Sequence, residues 1–263
     1  MNSLLGRIID SKRRELEATK KNRPLEQVKA DALSAVGEKR SFSGAILSAS
    51  GPNIIAELKK ASPTAGLIRE YFDIEEITRA YNDNGASAIS VLTEKTFFQG
   101  DLSYIQKVKG LTSLPILRKD FIIDPYQVFE AKAAGADAFL LIVAALEISL
   151  LEDLISLSKE INIETLVEVH DEYELETALT LDADVIGVNN RNLKTGKTDV
   201  ETSVKLAPLF KTASCKISES GIKNRTDIEM LMGFGYKGFL IGESLVRQAD
   251  PGKALRELKD IRK

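Results

Sequence analysis

The sequence predicts an α/β fold, a (β/α)8 TIM barrel carrying a helical N-terminal extension, and three observations support it. From Ile54 onward, eight short apolar runs alternate with eight longer helical patterns, which in series build a parallel sheet suited to closure. A recurring arrangement joins them. Asn84-Gly85-Ala86-Ser87-Ala88-Ile89, Ala134-Gly135-Ala136-Asp137-Ala138-Phe139 and Phe234-Gly235-Tyr236-Lys237-Gly238-Phe239 each place a helix-ending glycine just before an apolar strand. Leu181-Asp182-Ala183-Asp184-Val185 repeats the pattern without the glycine. The run Ala138 to Val143 is apolar on both faces, as an interior barrel strand must be. A length of 263 residues suits one barrel of ~250 residues or two small domains, and we read 1–263 as one barrel domain with 1–50 as its extension. An open doubly wound sheet is the competing fold, but its Gly-x-Gly-x-x-Gly fingerprint is absent.

Each element has its own signal. Leu4, Leu5, Ile8, Ile9 and Leu16 lie near helical spacing behind Ser3, a possible N-cap, and Pro24 interrupts. A second helix is expected over Leu25–Ala35, and a third over Phe42–Ala49, ending near Gly51-Pro52. These fifty residues read as helical and separate from the strand–helix units. Strands are expected at 54–59, 88–92, 115–119, 138–143, 165–169, 184–189, 215–218 and 238–241. Helices fall between them at 74–83, 102–108, 126–134, 147–160, 172–180, 200–206, 225–232 and 252–261.

Composition narrows the function. With 36 basic and 39 acidic residues and a net charge of −3, the chain has no bulk attraction to nucleic acid or anionic lipid. Cys215 is the only cysteine and His170 the only histidine, so a disulfide, a cysteine zinc site or a histidine-rich metal centre has no material. No run reaches the ~20 apolar residues of a membrane span, and the N-terminus lacks a signal-peptide core. A cytoplasmic protein is expected.

Polar residues collect at the C-terminal ends of the strands, where barrel chemistry sits. Glu57 and Lys59 are two apart, so on a strand they point to one side; they either neutralise each other or greet a polar ligand. The second strand ends in Thr93-Glu94 with Phe97-Phe98 beyond, the third in Arg118-Lys119-Asp120-Phe121. Lys119 is a general-acid candidate whose partial desolvation would lower its pKa; the alternative is a surface lysine paired with Asp120. Glu168, ending an apolar strand, is a general-base candidate or an ion-pair partner of Lys119 or Arg191. His170, beside Asp171 and Glu174, reads as part of a helix cap, and Cys215 as packing. Asn189, Asn190, Arg191 and Asn192 end the sixth strand, and the fourth offers only Leu140 and Ile142. After strands seven and eight, Ser218-Glu219-Ser220-Gly221 and Gly242-Glu243-Ser244 carry the glycines of a phosphate cradle. Phe97, Phe98 and Phe121 wall an aromatic ligand or plug the barrel mouth.

Taken together, Ile-Ala-Glu-Leu-Lys-Lys-Ala-Ser-Pro (55–63), Leu-Arg-Lys-Asp-Phe-Ile (117–122), Leu-Val-Glu-Val-His (166–170), Gly-Val-Asn-Asn-Arg-Asn-Leu (187–193), Ser-Glu-Ser-Gly-Ile (218–222) and Ile-Gly-Glu-Ser-Leu (241–245) resemble the indole-3-glycerol-phosphate synthases of tryptophan biosynthesis, in their monofunctional form. The resemblance covers nearly the whole chain. It implies ring closure, decarboxylation and dehydration of 1-(2-carboxyphenylamino)-1-deoxyribulose 5-phosphate, with no cofactor and no metal. It implies that Lys119 protonates the ketone oxygen, that Glu168 stabilises the developing cation, and that Glu57 serves proton transfer or orientation. Lys59 would touch substrate anions and act in dehydration, Asn189 and Arg191 would hold sugar hydroxyls or carboxylate, and Glu219 would tie these groups together. Ser220, Gly221, Gly242 and the backbone of Glu243, with Ser62, would take the phosphate. Phe98, Phe121, Leu140 and Leu193 would hold the ring. A small phosphorylated substrate is the expected partner, with no nucleic acid and no membrane; a monomer is expected, an oligomer being left open. Another phosphate-binding barrel enzyme, such as an isomerase or a Schiff-base aldolase on Lys119, and a non-catalytic metabolite-binding barrel are the rival readings.

Overall fold

The structure, a computed structural model, describes residues 3–35, 40–48, 51–193, 195–210 and 215–259. Eight parallel strands close on themselves: β1 (Asn53–Leu58), β2 (Ala88–Leu92), β3 (Ile116–Lys119), β4 (Ala138–Ile142), β5 (Glu164–Val169), β6 (Val185–Asn189), β7 (Cys215–Glu219) and β8 (Gly238–Ile241), with β1 hydrogen-bonded to β8. All eight predicted strands are present within a residue of their expected ends. The helices preceding the barrel are α1 (Leu4–Asn22), α2 (Leu25–Ser34) and α3 (Phe42–Leu47). Those between and after the strands are α4 (Ile74–Asp83), α5 (Ser103–Lys109), α6 (Pro125–Ala133), α7 (Ile148–Glu160), α8 (Glu172–Thr180), α9 (Glu201–Leu206), α10 (Arg225–Gly233), α11 (Glu243–Val246) and α12 (Pro251–Lys259). The expected helix ends at Ala49 and beyond 259 lie outside the described residues. The short helix α11 was not among the predicted helices, and a small sheet also escaped prediction: Ala61–Ser62 and Gly66–Leu67 pair antiparallel after β1, and the Ser62 hydroxyl accepts from Ala65 N at 3.1 Å to close the turn.

Strand parity divides the core in two. Ile54, Ala56 and Leu58 face the helices and join the large outer core, whereas Ile55 joins Leu117, Leu140, Leu166, Ile217 and Leu240 inside the barrel. Cys215 packs in this interior, as expected.

The extension is not separate from the barrel. Its short helix α3 stoppers the end where the strands begin, with Phe42 and Ile46 fully buried in the interior cluster. Both ends of α3 are held. The Glu164 carboxylate, at the start of β5, accepts from the first backbone N–H groups of the helix, those of Phe42 (2.9 Å) and Ser43 (2.8 Å), which have no partner within it. Asn53, at the start of β1, donates from Nδ2 to the Ile46 carbonyl (2.8 Å). Gly238 has no side chain because Ile46 lies there: a Cβ would stand 2.8 Å from Ile46 Cγ2. At the opposite end α1 crosses the rim, its buried Lys12 paired with Asp120 at 2.9 Å and its Lys20 with Asp124 at 2.7 Å.

Removing the Glu164 cap by Glu164→Ala is expected to cost about 1–2 kcal/mol in urea unfolding, the range for a lost N-terminal cap. An unchanged midpoint would show that α3 is held by burial alone.

Candidate active site

Six titratable or amide side chains converge at the C-terminal rim because each occupies an inward-facing position near the end of its strand. Lys119, ending β3, places its ammonium 3.0 Å from Glu168 Oε2 of β5 and in a close ion pair with Glu219 Oε2 of β7. Lys59 lies 2.6 Å from Glu57 Oε1. Asn189, ending β6, hydrogen-bonds through its side chain to Glu168 and accepts from Arg191 N at 3.0 Å. Glu57, Glu168 and Glu219 are buried to within 3% of full enclosure. Two glycines make room for this density of carboxylates. A Cβ on Gly187 would collide with Glu219 Oε1, and one on Gly242 with Glu57 Oε1.

Mutual distance sets the electrostatics. Burial penalises the charge on Lys119, but Glu168, Glu219 and Glu57 outweigh it and hold its pKa well above the ordinary lysine value. The expected lowering of Lys119 is therefore reversed: desolvation is present, and three neighbouring anions overcome it. Burial also opposes ionisation of Glu168, yet Lys119 first, then His170 and Asn189, keep it well below the carboxylate range. Glu219 moves upward, through burial that Lys119 only partly counters and repulsion from Glu168 and Glu57. The two carboxylates around one ammonium are thus pushed apart, one firmly ionised and one readily protonated.

The cluster opens onto two adjoining spaces. The first, about 140 Å³, is walled by Leu4, Leu5, Ile8, Phe98, Phe121, Leu140, Ile142 and Leu193 above the charged floor, with Ser62 and Arg191 on its edge. The Phe98 and Phe121 rings pack against each other, 6.2 Å apart and tilted, and form an aromatic wall of this space. The second, about 470 Å³, lies over the β7 and β8 turns and is bordered by Lys59, Arg191, Ser220, Gly221, Lys223, Gly242, Glu243 and Ser244. Ser220 and Gly221 both adopt positive φ (64° and 79°), a left-handed turn on the border of this space. Glu243 turns its carboxylate to Arg247 at 2.9 Å, so the face it offers this space is backbone at the start of α11.

Every residue to which the resemblance gives a role borders one of these two spaces, whereas Phe97, expected with Phe98 and Phe121 as a wall, borders neither. Ser62, expected with the phosphate group, lines the first space instead, its hydroxyl already engaged by Ala65. Other rim residues turn away. Glu94 accepts from the backbone of Thr96, Phe97 and Phe98, at 2.7 to 3.0 Å, and so shapes the loop that carries Phe98. Arg118 faces the helices, pairing with Glu130 at 2.7 Å and Asp120 at 3.3 Å. Asn190 and Ser218 join with Ser203 in a buried network, and Asn190 donates to the Ser220 carbonyl at 3.0 Å. Sequence reasoning missed the contribution of Leu4, Leu5 and Ile8, whose helical stripe was visible without its destination. It also missed Lys223 and the ring of His170. Parity with Glu168 was the available signal for that ring.

Gly187→Ala is expected to destabilise the fold by about 1–3 kcal/mol, the range for overpacking. Gly233→Ala, with nothing within 4 Å of the added methyl, is the control and should be neutral or slightly stabilising in the same urea titration.

Residues 5–258 match the family model of indole-3-glycerol phosphate synthase. The chain is 46% identical over 258 residues to the indole-3-glycerol phosphate synthase of Legionella pneumophila strain Paris, covering 98% of this chain and 99% of that one. It is 41% identical over 261 residues to that of Burkholderia cenocepacia, covering 98% and 99%. It is 52% identical over 206 residues to that of Carboxydothermus hydrogenoformans, covering 78% of each. Among solved structures, 3-hexulose-6-phosphate synthase from Salmonella typhimurium superposes with a TM-score of 0.65 at 14% identity, over 79% of this chain and 97% of that one, a likeness of fold alone. The chain belongs to the indole-3-glycerol phosphate synthase family and is a carboxy-lyase of tryptophan biosynthesis.

Proposed function

We propose that the rim cluster carries out ring closure, decarboxylation and dehydration of 1-(2-carboxyphenylamino)-1-deoxyribulose 5-phosphate, each side chain with its own role. The observation that carries this reading is the ammonium of Lys119 set between Glu168 and Glu219, below an apolar space and beside one bordered by Lys59, Arg191, Lys223 and the turns at Gly221 and Gly242. Attack of the electron-rich ring carbon on the sugar ketone turns the carbonyl oxygen into an alkoxide. Lys119 donates its proton there. The carboxylates that raise its pKa keep it protonated until the alkoxide, itself a strong base, develops. The same attack leaves positive charge on the anthranilate nitrogen and ring, and ionised Glu168 offsets it in a site shielded from water.

Carbon dioxide then leaves without the bonding electrons, which stay with the ring and quench the cation. Loss of the former ketone oxygen as water needs an acid at that oxygen and a base at the ring. Lys59 is the acid beside Glu57, and Glu57 is the second carboxylate for proton transfer or orientation. Glu219 anchors Lys119, while Asn189 and Arg191 hold sugar hydroxyls or the substrate carboxylate. Phe98, Phe121, Leu140 and Leu193 clasp the ring, with Ser62 at the edge of that space. The phosphate sits on Ser220, Gly221, Gly242 and the Glu243 backbone. No described helix is long and apolar enough to cross a membrane, which fits a cytoplasmic enzyme, and we read the working unit as a monomer.

Indole fluorescence on adding the substrate to the pure chain tests the reaction. Lys119→Met and Glu168→Gln should each lower kcat by at least about 100-fold, the lower range for a lost acid–base group, with phosphate-ester binding largely kept. Near-wild-type turnover in both variants would overturn the assignment of roles.

A further inference from the structure

We propose that His170 is a positioning residue for Glu168: its ring, anchored by Glu174, grips the carboxylate oxygen that Lys119 leaves free. The proposal rests on the reading that Glu168 faces the cation formed on the substrate. His170 comes two residues after Glu168, so it continues the inward-facing row just beyond β5. Its Nδ1 stands 3.0 Å from Glu174 Oε2, and the same oxygen accepts the His170 backbone N–H at 2.8 Å. Its Nε2 makes no hydrogen bond and stands at ion-pair distance, 3.4 Å, from Glu168 Oε1, while Lys119 holds Oε2 at 3.0 Å. The imidazole is only 11% exposed. Helix capping does not account for the ring, because Asp171 is the side chain that caps α8, accepting from Glu174 N at 3.0 Å.

The two ring contacts fix the charge state. Each ring nitrogen faces a carboxylate oxygen, so each must carry a proton; a neutral tautomer would aim a lone pair at an anion. The titratable groups facing the ring are Glu168 from its own strand and Glu174 from α8. Lys119 of β3 and Asn189 of β6 reach the same Glu168 carboxylate, and the turn Val143–Ala145, packed on β5 and α8, brings no charge. Burial works against the imidazolium, but the nearby carboxylates of Glu168 and Glu174 outweigh it and lift the ring to about 10.

The arrangement has a use during turnover. When Lys119 gives its proton to the substrate, Glu168 is left buried beside a neutral amine, and burial then favours its protonation. The charge on His170 is not consumed by that step. It keeps Glu168 ionised while the cation on the substrate ring persists, and it prevents the carboxylate from rotating away.

Two measurements test this. His170 is the only histidine, so in an untagged chain its ring gives unique NMR signals. The ring should remain protonated through pH 8, and Glu174→Gln should lower its pKa by at least about one unit, the smallest shift usual for a neighbouring charge. In kinetics, His170→Gln should move the acid limb of kcat upward by about one pH unit or more, with KM within about threefold, because Glu168 loses a cation that kept it ionised. Glu174→Gln should move the limb in the same direction by less. A ring that titrates near the ordinary ~6.5 overturns the proposal, as does a His170→Gln enzyme that loses only stability and keeps its acid limb in place. If His170→Gln does not fold, the wild-type ring titration and the Glu174→Gln limb decide. An active Glu168→Gln enzyme would instead overturn the reading of the reaction, and the ring titration would still judge the clamp.

Discussion

The buried ammonium of Lys119 is the charge on which the rest of the site depends. Without it, Glu168 and Glu219 would face each other in a desolvated space beside Glu57, which has Lys59 as its own partner, and repulsion would protonate them or push them apart. With it, the acids differentiate. Glu168 stays ionised and Glu219 drifts toward its neutral form, because one ammonium cannot compensate both equally. A catalyst that must protonate an oxygen and face a cation at once needs this inequality, and here it arises from placement rather than from unusual chemistry in any one residue.

That placement is held by parts that never touch the reacting groups. Gly187 and Gly242 admit the carboxylates of Glu219 and Glu57 where any side chain would displace them. Asn190 secures the Ser220 carbonyl, and Ser220 with Gly221 then holds the strained turn beside the second space at the rim. Glu94 does the same for the loop bearing Phe98. On the helix-facing side, Asp120 is shared between Lys12 of α1 and Arg118 of β3, so the residue next to Lys119 locks the extension to the barrel.

The N-terminal helices thereby complete the barrel at both ends. One seals the interior where the strands begin, replacing water with Phe42 and Ile46. Another supplies three apolar side chains to the apolar space at the rim. Removing water on that side strengthens the electrostatics of the cluster below, since charges interact more strongly where the surroundings polarise less.

The sequence by itself determined the order of strands and helices, the closure of the barrel and the residues that gather at one rim. These come from local properties: apolar period, helix-ending glycines, and the alternation that sends Glu57 and Lys59 to one side. Only the tertiary structure decided which rim residues face the cavity, that α1 and α3 belong to the barrel, and that the ring of His170 meets Glu168. It also decided the direction of the Lys119 shift. Lys119 is 49 residues from Glu168 and 100 from Glu219 in the chain, yet within hydrogen-bonding distance of both in the fold. The field at a buried charge depends on separations of a few ångströms between such distant residues, and no local pattern along the chain contains them.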